Sequence, residues 1–190
     1  KIERLAHALK EGAPIEGKSL ETALYNIAAL GGIEAAGFLS PGITFGTGDL
    51  TIRVKDGKRQ SYVLYSENYG SEPSGRYRFG LQGSFENLTK SGDRLNLGLT
   101  LSNKDLHNYS ISYSHPVGAD GTVLGIGVSR MDYELSGAFR RLGAEGTADT
   151  LSLFGTTPLW RTAQSSLAVT YGWDWRRLKD EYKKIGMELE

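Results

Sequence analysis

The sequence predicts a small α+β unit, ordered helix, helix, strand, strand, followed by an antiparallel all-β meander that forms part of a transmembrane β-barrel. Three observations lead there. Apolar residues recur at helical spacing as far as Leu30 and at alternate positions from Tyr62 onward, which is a change of period from about 3.6 to 2. No run of about 18 apolar residues occurs, so no helix is expected to cross a bilayer, a result that leaves barrel strands untouched. Glycine and serine collect at the polar positions of the alternating segments, as a water-filled lumen tolerates and a closely packed core does not.

In chain order, Ile2, Leu5 and Leu9 form one helical stripe, which Gly12 and Pro14 end. Ser19 is placed to cap a second helix, with Glu21 in its first turn and Leu20, Ala23, Leu24, Ile27 and Leu30 as its apolar stripe. Gly31 and Gly32 stop it. An extended stretch follows from Ile33 to Leu39, Pro41 and Gly42 turn the chain, and residues 50–54 alternate as a half-buried strand. A two-stranded hairpin is marginal alone, so a further strand is expected upstream of Lys1.

The join between the two units falls near Asp56-Gly57, giving units of 1–57 and 58–190. Beyond it, Tyr77, Phe79, Leu81 and Phe85 face one way and Arg76, Arg78, Gln82, Ser84 and Glu86 the other. Leu95, Leu97, Leu99 and Leu101 alternate with Asn96, Gly98, Thr100 and Ser102, and Tyr109, Ile111 and Tyr113 with serines. Leu124, Ile126 and Val128 continue the pattern, Leu151 and Leu153 weaken it, and Leu167 to Trp175 restore it. With a first strand near Gln60, the count is about seven strands. Connectors 68–75, 103–107 and 134–146 then lie at one end, and the short turns 88–93, 116–122 and 158–164 at the other. Such alternation fits both a membrane barrel wall and a soluble antiparallel sandwich. The small polar face favours the barrel. Seven strands cannot close an ordinary barrel, so more are expected after Glu190.

The 22 basic and 22 acidic residues cancel and no basic patch gathers, which argues against nucleic acid as a partner. No cysteine is present to form a disulfide, a thiolate metal site or a nucleophile. His7, His107 and His115 stand far apart, outside any ligand spacing. The 125–130 stretch lacks the third glycine of a dinucleotide loop, and 42–49 lacks the lysine of a P-loop. No cofactor is expected. An outer-membrane phospholipase would need Ser114 and His115 to meet, yet strand neighbours point to opposite faces. The expectation is therefore no enzyme.

Residues 20–33 (LETALYNIAALGGI), Leu39-Ser40-Pro41-Gly42 and residues 46–52 (GTGDLTI) resemble the last periplasmic POTRA module of the two-partner secretion transporters, the TpsB proteins of haemolysin and haemagglutinin secretion. Residues 67–70 (ENYG) with Gly75-Arg76, Ser91-Gly92-Asp93, residues 113–117 (YSHPV), Tyr133-Glu134-Leu135 and Pro158-Leu159 are similar to the start of the barrel in the same family. The resemblance covers nearly the whole chain, and the order and spacing of the motifs carry it.

That resemblance implies an outer-membrane protein whose POTRA modules lie in the periplasm and whose sixteen-stranded barrel secretes one large, unfolded TpsA-type haemolysin or adhesin. Residues 1–57 would be the second POTRA module without its first strand, and 58–190 about the first half of the barrel. Tyr25, Ile33, Ala35 and Phe38 are the candidate substrate-binding residues, through pairing of a substrate with an exposed strand edge. Arg76, Arg78, Gln82, Glu86, Asn96 and Asp174 would line the pore, with outer-membrane lipid against the apolar face. No motif binds a nucleotide, so folding of the partner outside the cell would bias its passage. A BamA-like assembly factor, a barrel phospholipase and a soluble β-sandwich binding module are the alternatives.

Overall fold

The structure is a computed structural model describing residues 9, 12, 14, 16–118, 120–134, 143–162, 164–182 and 187–189. Ile2 and Leu5 of the expected first helix fall outside these residues, and Leu9, the last of its stripe, stands in a bend. What is described begins with helix α1 (Gly17–Ala28). Glu16, not Ser19, is its N-cap: the Glu16 carbonyl accepts from Leu20 N–H at 3.0 Å, so the helix starts before Ser19, and Glu21 lies past the first turn. Ala29 caps the other end and Gly32, at φ 66°, turns the chain out in the left-handed region that glycine enters without strain.

Strands β1 (Ile33–Pro41) and β2 (Gly48–Asp56) form an antiparallel hairpin under α1. Ile27 of the helix and Leu30, just past its end, pack on Ile33, Ala35 and Ile52, the apolar faces the two periodicities create. Leu24 lies over Gly37, where a Cβ would stand 2.9 Å from Leu24 Cδ1.

An eight-stranded antiparallel sheet follows, with every strand beside its sequence neighbour. Its strands are β3 (Gln60–Glu67), β4 (Arg78–Glu86), β5 (Arg94–Ser102), β6 (Leu106–Pro116), β7 (Val123–Glu134), β8 (Ala144–Arg161), β9 (Ser166–Tyr182) and the three-residue β10 (Met187–Leu189). The all-β antiparallel expectation is met. The sheet has eight strands where about seven are expected, β6 and β8 start inside the expected 103–107 and 134–146 connectors, and two further boundaries differ. Strand β8 runs through Pro158 to Arg161, because a register shift between Pro158 and Trp160 absorbs the missing N–H. Tyr77 stands in the β3–β4 connector, ahead of the strand.

Register gives each face a composition. One row reads Gly83, Leu97, Ile111, Val128, Leu151 and Trp175, and another Phe85, Leu95, Tyr113, Ile126, Leu153 and Trp173. Between them, pointing the other way, lies Ser84, Asn96, Ser112, Gly127, Ser152 and Asp174. Six cross-strand pairs set an aromatic residue opposite a glycine: Tyr65–Gly80, Phe154–Gly125, Phe154–Gly172 and Tyr133–Gly146 on the polar face, Tyr62–Gly83 and Tyr171–Gly155 on the apolar one. At Gly80 a Cβ would fall 2.0 Å from Tyr65 Cζ, so the ring occupies the space that the absent side chain leaves.

Helix α1 is seated against the ends of three hairpins. Thr22 Oγ1 donates to the Arg161 carbonyl at 3.3 Å, Asn26 Oδ1 would be 3.1 Å from a Cβ on Gly121, and Leu30 Cδ2 2.7 Å from one on Gly92. These residues are spaced four apart, two on one side of α1 and the third just past its end, and they meet the β8–β9, β6–β7 and β4–β5 turns in succession.

Candidate functional site

The sheet's two faces are the candidate wall of a conduit. Leu97, Ile111, Val128, Leu153, Trp173 and Trp175 are all 41–58% exposed on one side. Exposing a contiguous sheet of large apolar side chains to water is costly, so that face calls for an apolar surrounding. The band has an edge: two positions beyond Val128, Leu151 and Trp175, the same face carries Arg130, Asp149 and Arg177 in one row. From Leu167 to Trp175 strand β9 spans nine residues, roughly 30 Å, which suits a tilted crossing of a hydrocarbon layer.

The opposite face is polar and cross-linked. Ser84 donates to Asn96 Oδ1 at 2.9 Å and Asn96 Nδ2 to Ser112 at 3.3 Å. Tyr65 and Thr100 share a hydrogen bond of 2.9 Å, and Arg176 Nε donates to Thr150 at 3.3 Å. Arg94 pairs with Glu86 at 2.7 Å and Arg78 approaches Glu67 at 3.7 Å. These partly exposed pairs contribute little stability, about 0–1 kcal/mol each, and serve to keep the surface hydrated.

Five of the six expected pore-lining residues, Arg78, Gln82, Glu86, Asn96 and Asp174, share this polar face. Arg76 does not. It lies in the β3–β4 connector, where its carbonyl accepts from Gly70 N–H at 3.1 Å. The register adds Glu67, opposite Arg78, and Arg94 and Arg176, each two positions from a residue that the sequence reading names, Asn96 and Asp174.

The expected docking residues divide. Ile33 and Ala35 turn toward α1 and pack on its core, while Phe38 points to the other face of the hairpin, its ring 4.8 Å below the Arg53 guanidinium. Tyr25 lies on the exposed side of α1. Their side chains do not converge on one groove. The backbone does offer an edge: Gly57 N–H donates to the Gly32 carbonyl and Gly42 N–H to Thr47, so even-numbered residues of β1 bond to β2. The N–H and C=O groups of Ile33, Ala35, Gly37 and Leu39 therefore point away from β2, where no strand pairs with them among the described residues.

Where α1 ends, an open cleft of about 370 Å³ is lined by Leu30, Gly31, Gly32, Glu34, Lys58, Glu86 and Arg94, so it touches both the hairpin and the polar face. Among the described residues no group of His, Cys, Asp or Glu could hold a metal ion.

Residues 46–188 match the family described as haemolysin secretion/activation protein ShlB/FhaC/HecB. The heme/hemopexin transporter protein HuxB of Haemophilus influenzae is 32% identical over 155 residues, which is 81% of this chain and 27% of HuxB. The chain thus spans about a quarter of the length of the curated relatives it matches. Among solved structures, CdiB from Escherichia coli superposes with a TM-score of 0.71 at 20% identity, covering 94% of this chain and 34% of CdiB. CdiB from Acinetobacter baumannii gives 0.68 at 18%, covering 97% and 36%. BamA from Haemophilus ducreyi, lacking POTRA domains 1–3, gives 0.54 at 18%, covering 94% and 40%.

Proposed function

The chain belongs to the haemolysin secretion/activation protein family ShlB/FhaC/HecB, and on that premise we propose that the whole protein is an outer-membrane transporter of a two-partner secretion system. It takes an unfolded TpsA-type protein, a haemolysin or adhesin, from the periplasm and passes it through a β-barrel. The observation that carries this reading is the sheet whose neighbouring rows are Leu97–Ile111–Val128–Leu151–Trp175 and Asn96–Ser112–Gly127–Ser152–Asp174. A wall of this kind holds lipid on one side and water on the other. HuxB, described as a transporter, supports transport as the task.

In this reading residues 1–57 are the last POTRA module, in the periplasm, and 58–190 the opening strands of the barrel. The α1 stripe on the hairpin turns holds the module under the barrel mouth. An incoming extended chain adds itself to the free edge of β1, whose backbone groups bind any sequence alike. Arg78, Gln82, Glu86, Asn96 and Asp174 then keep the lumen wet, and mixed charge retains a neutral extended chain only weakly. Folding of the partner outside the cell draws it through.

The test is secretion by the full-length protein reconstituted with its partner in liposomes. Partner protected inside should emerge without nucleotide. Transport that requires ATP, or insertion of unrelated barrels in place of secretion, as a BamA-like factor would give, overturns the proposal.

A further inference from the structure

The β1–β2 turn, 42–47, is tightly bonded: Gly42 N–H donates to the Thr47 carbonyl at 2.9 Å, and Thr47 donates to the Thr44 carbonyl through its N–H at 3.0 Å and its Oγ1 at 2.6 Å. That turn nevertheless holds Ile43 and Phe45 wholly in solvent, at 104% and 105% exposure. A fixed turn that displays two large apolar side chains is preorganised for contact, because ordering them on binding costs little.

The neighbouring backbone identifies the occupant. The β1 edge offers outward N–H groups at Ile33, Ala35, Gly37 and Leu39, and Pro41, which has none, ends the row. A row of alternating donors and acceptors is matched by an extended polypeptide. Charge argues against a lipid surface: residues 42–48 carry none, and the next residue is Asp49, whereas segments that lie on anionic membranes are rich in Lys or Arg beside their apolar residues.

We propose that Ile43 and Phe45 form an apolar foothold for the secreted polypeptide, just past the point where Pro41 ends backbone pairing. This rests on edge pairing at β1 and adds to it. A segment of about nine residues lies along β1, and the apolar side chains that follow it close over Ile43 and Phe45. The edge then gives tolerance of sequence, and the foothold selects segments that alternate and end in apolar residues.

The test uses full-length transporter in nanodiscs and two fluorescein-labelled peptides of about nine alternating Val and Thr residues, one ending Leu-Ser-Leu and its twin ending Asp-Ser-Asp. The first should bind about tenfold more tightly. The double variant Ile43→Ser, Phe45→Ser should erase that preference while the unheated barrel keeps its gel mobility. Leu39→Pro, which removes an edge donor, should weaken both peptides alike. Equal affinities on the parent protein, or a preference that survives the double variant, overturn the foothold and leave edge pairing standing. Peptides that ignore Leu39→Pro overturn edge pairing itself. A benzophenone amino acid at position 45 should crosslink to the peptide; capture of lipid, or of an upstream segment of the same chain, overturns the assignment.

Discussion

Leu30, two residues past the end of α1, lies so close to Gly92 that a Cβ there would be 2.7 Å from its Cδ2. Gly92 also sits at φ 78°, with its N–H held by Asn87 Oδ1 at 2.9 Å. Backbone conformation and packing therefore both demand glycine. The contact is one of three between the helical segment and the hairpin ends, so Gly92 bears on where the β1–β2 hairpin stands relative to the eight-stranded sheet. Gly92→Ala should destabilise the full-length protein by about 1–3 kcal/mol in urea titration. Adding Leu30→Ala should cost less on this background than on the parent, since the smaller residue makes room. Additive losses would show that the two side chains do not meet.

Asp93, next in the same turn, is fully buried. Burial pushes its carboxyl up, but hydrogen bonds from the Thr89 hydroxyl at 2.8 Å, the Thr89 N–H at 3.0 Å and the Tyr113 hydroxyl at 3.3 Å outweigh it, and the pKa falls below the usual 3.8. A depressed folded pKa adds stability that is complete above the unfolded value and fades as pH drops through the folded one. Asp93→Asn should therefore lose about 1–3 kcal/mol at neutral pH. The gap from the parent should close below about pH 4 in acid unfolding curves. A gap that stays constant down to pH 2 would remove the carboxylate from the account.

What could be read in the sequence depended on whether a signal was periodic. The leucines at 95, 97, 99 and 101 declare their face because alternation fixes it once the strand exists. The same parity separates Phe38 from Ile33 and Ala35, so their division across the hairpin was visible in principle. Other features are three-dimensional. Pro158 ends a strand by local rules, yet a shift of register carries β8 past it. Gly80, Gly125 and Gly146 carry no local sign that a ring from the adjacent strand covers each of them. Nothing local announces that Thr22, Asn26 and Leu30 meet turns as many as 139 positions away.

Gly80 gives a direct check on those covered glycines. The Tyr65 ring lies over it and reaches Thr100 on the following strand at 2.9 Å, so one side chain ties three strands together. Gly80→Val should expel the ring and cost about 1–3 kcal/mol. Tyr65→Phe, which keeps the ring and loses the hydrogen bond, should cost only about 1 kcal/mol. Equal losses in heat-modifiability midpoints would place the stabilisation in the hydroxyl rather than in the ring.

Ile111 and Ser112 are adjacent, and their side chains leave the sheet on opposite sides, Ile111 beside Leu97 and Val128, Ser112 beside Asn96 and Gly127. If the apolar rows face hydrocarbon, a cation costs far more at one than at the other. Ile111→Arg should destabilise folding into liposomes by about 2–4 kcal/mol, and Ser112→Arg by less than about 1 kcal/mol. Trp173 and Trp175 point the same way as Ile111, so brominated acyl chains should quench their fluorescence in the parent protein. In a soluble sandwich those rows would pack on a second sheet and lipid bromine would not reach them. Quenching together with a large asymmetry between Ile111 and Ser112 is the signature of a wall between oil and water, and losing either half of it would remove the physical basis for a conduit here.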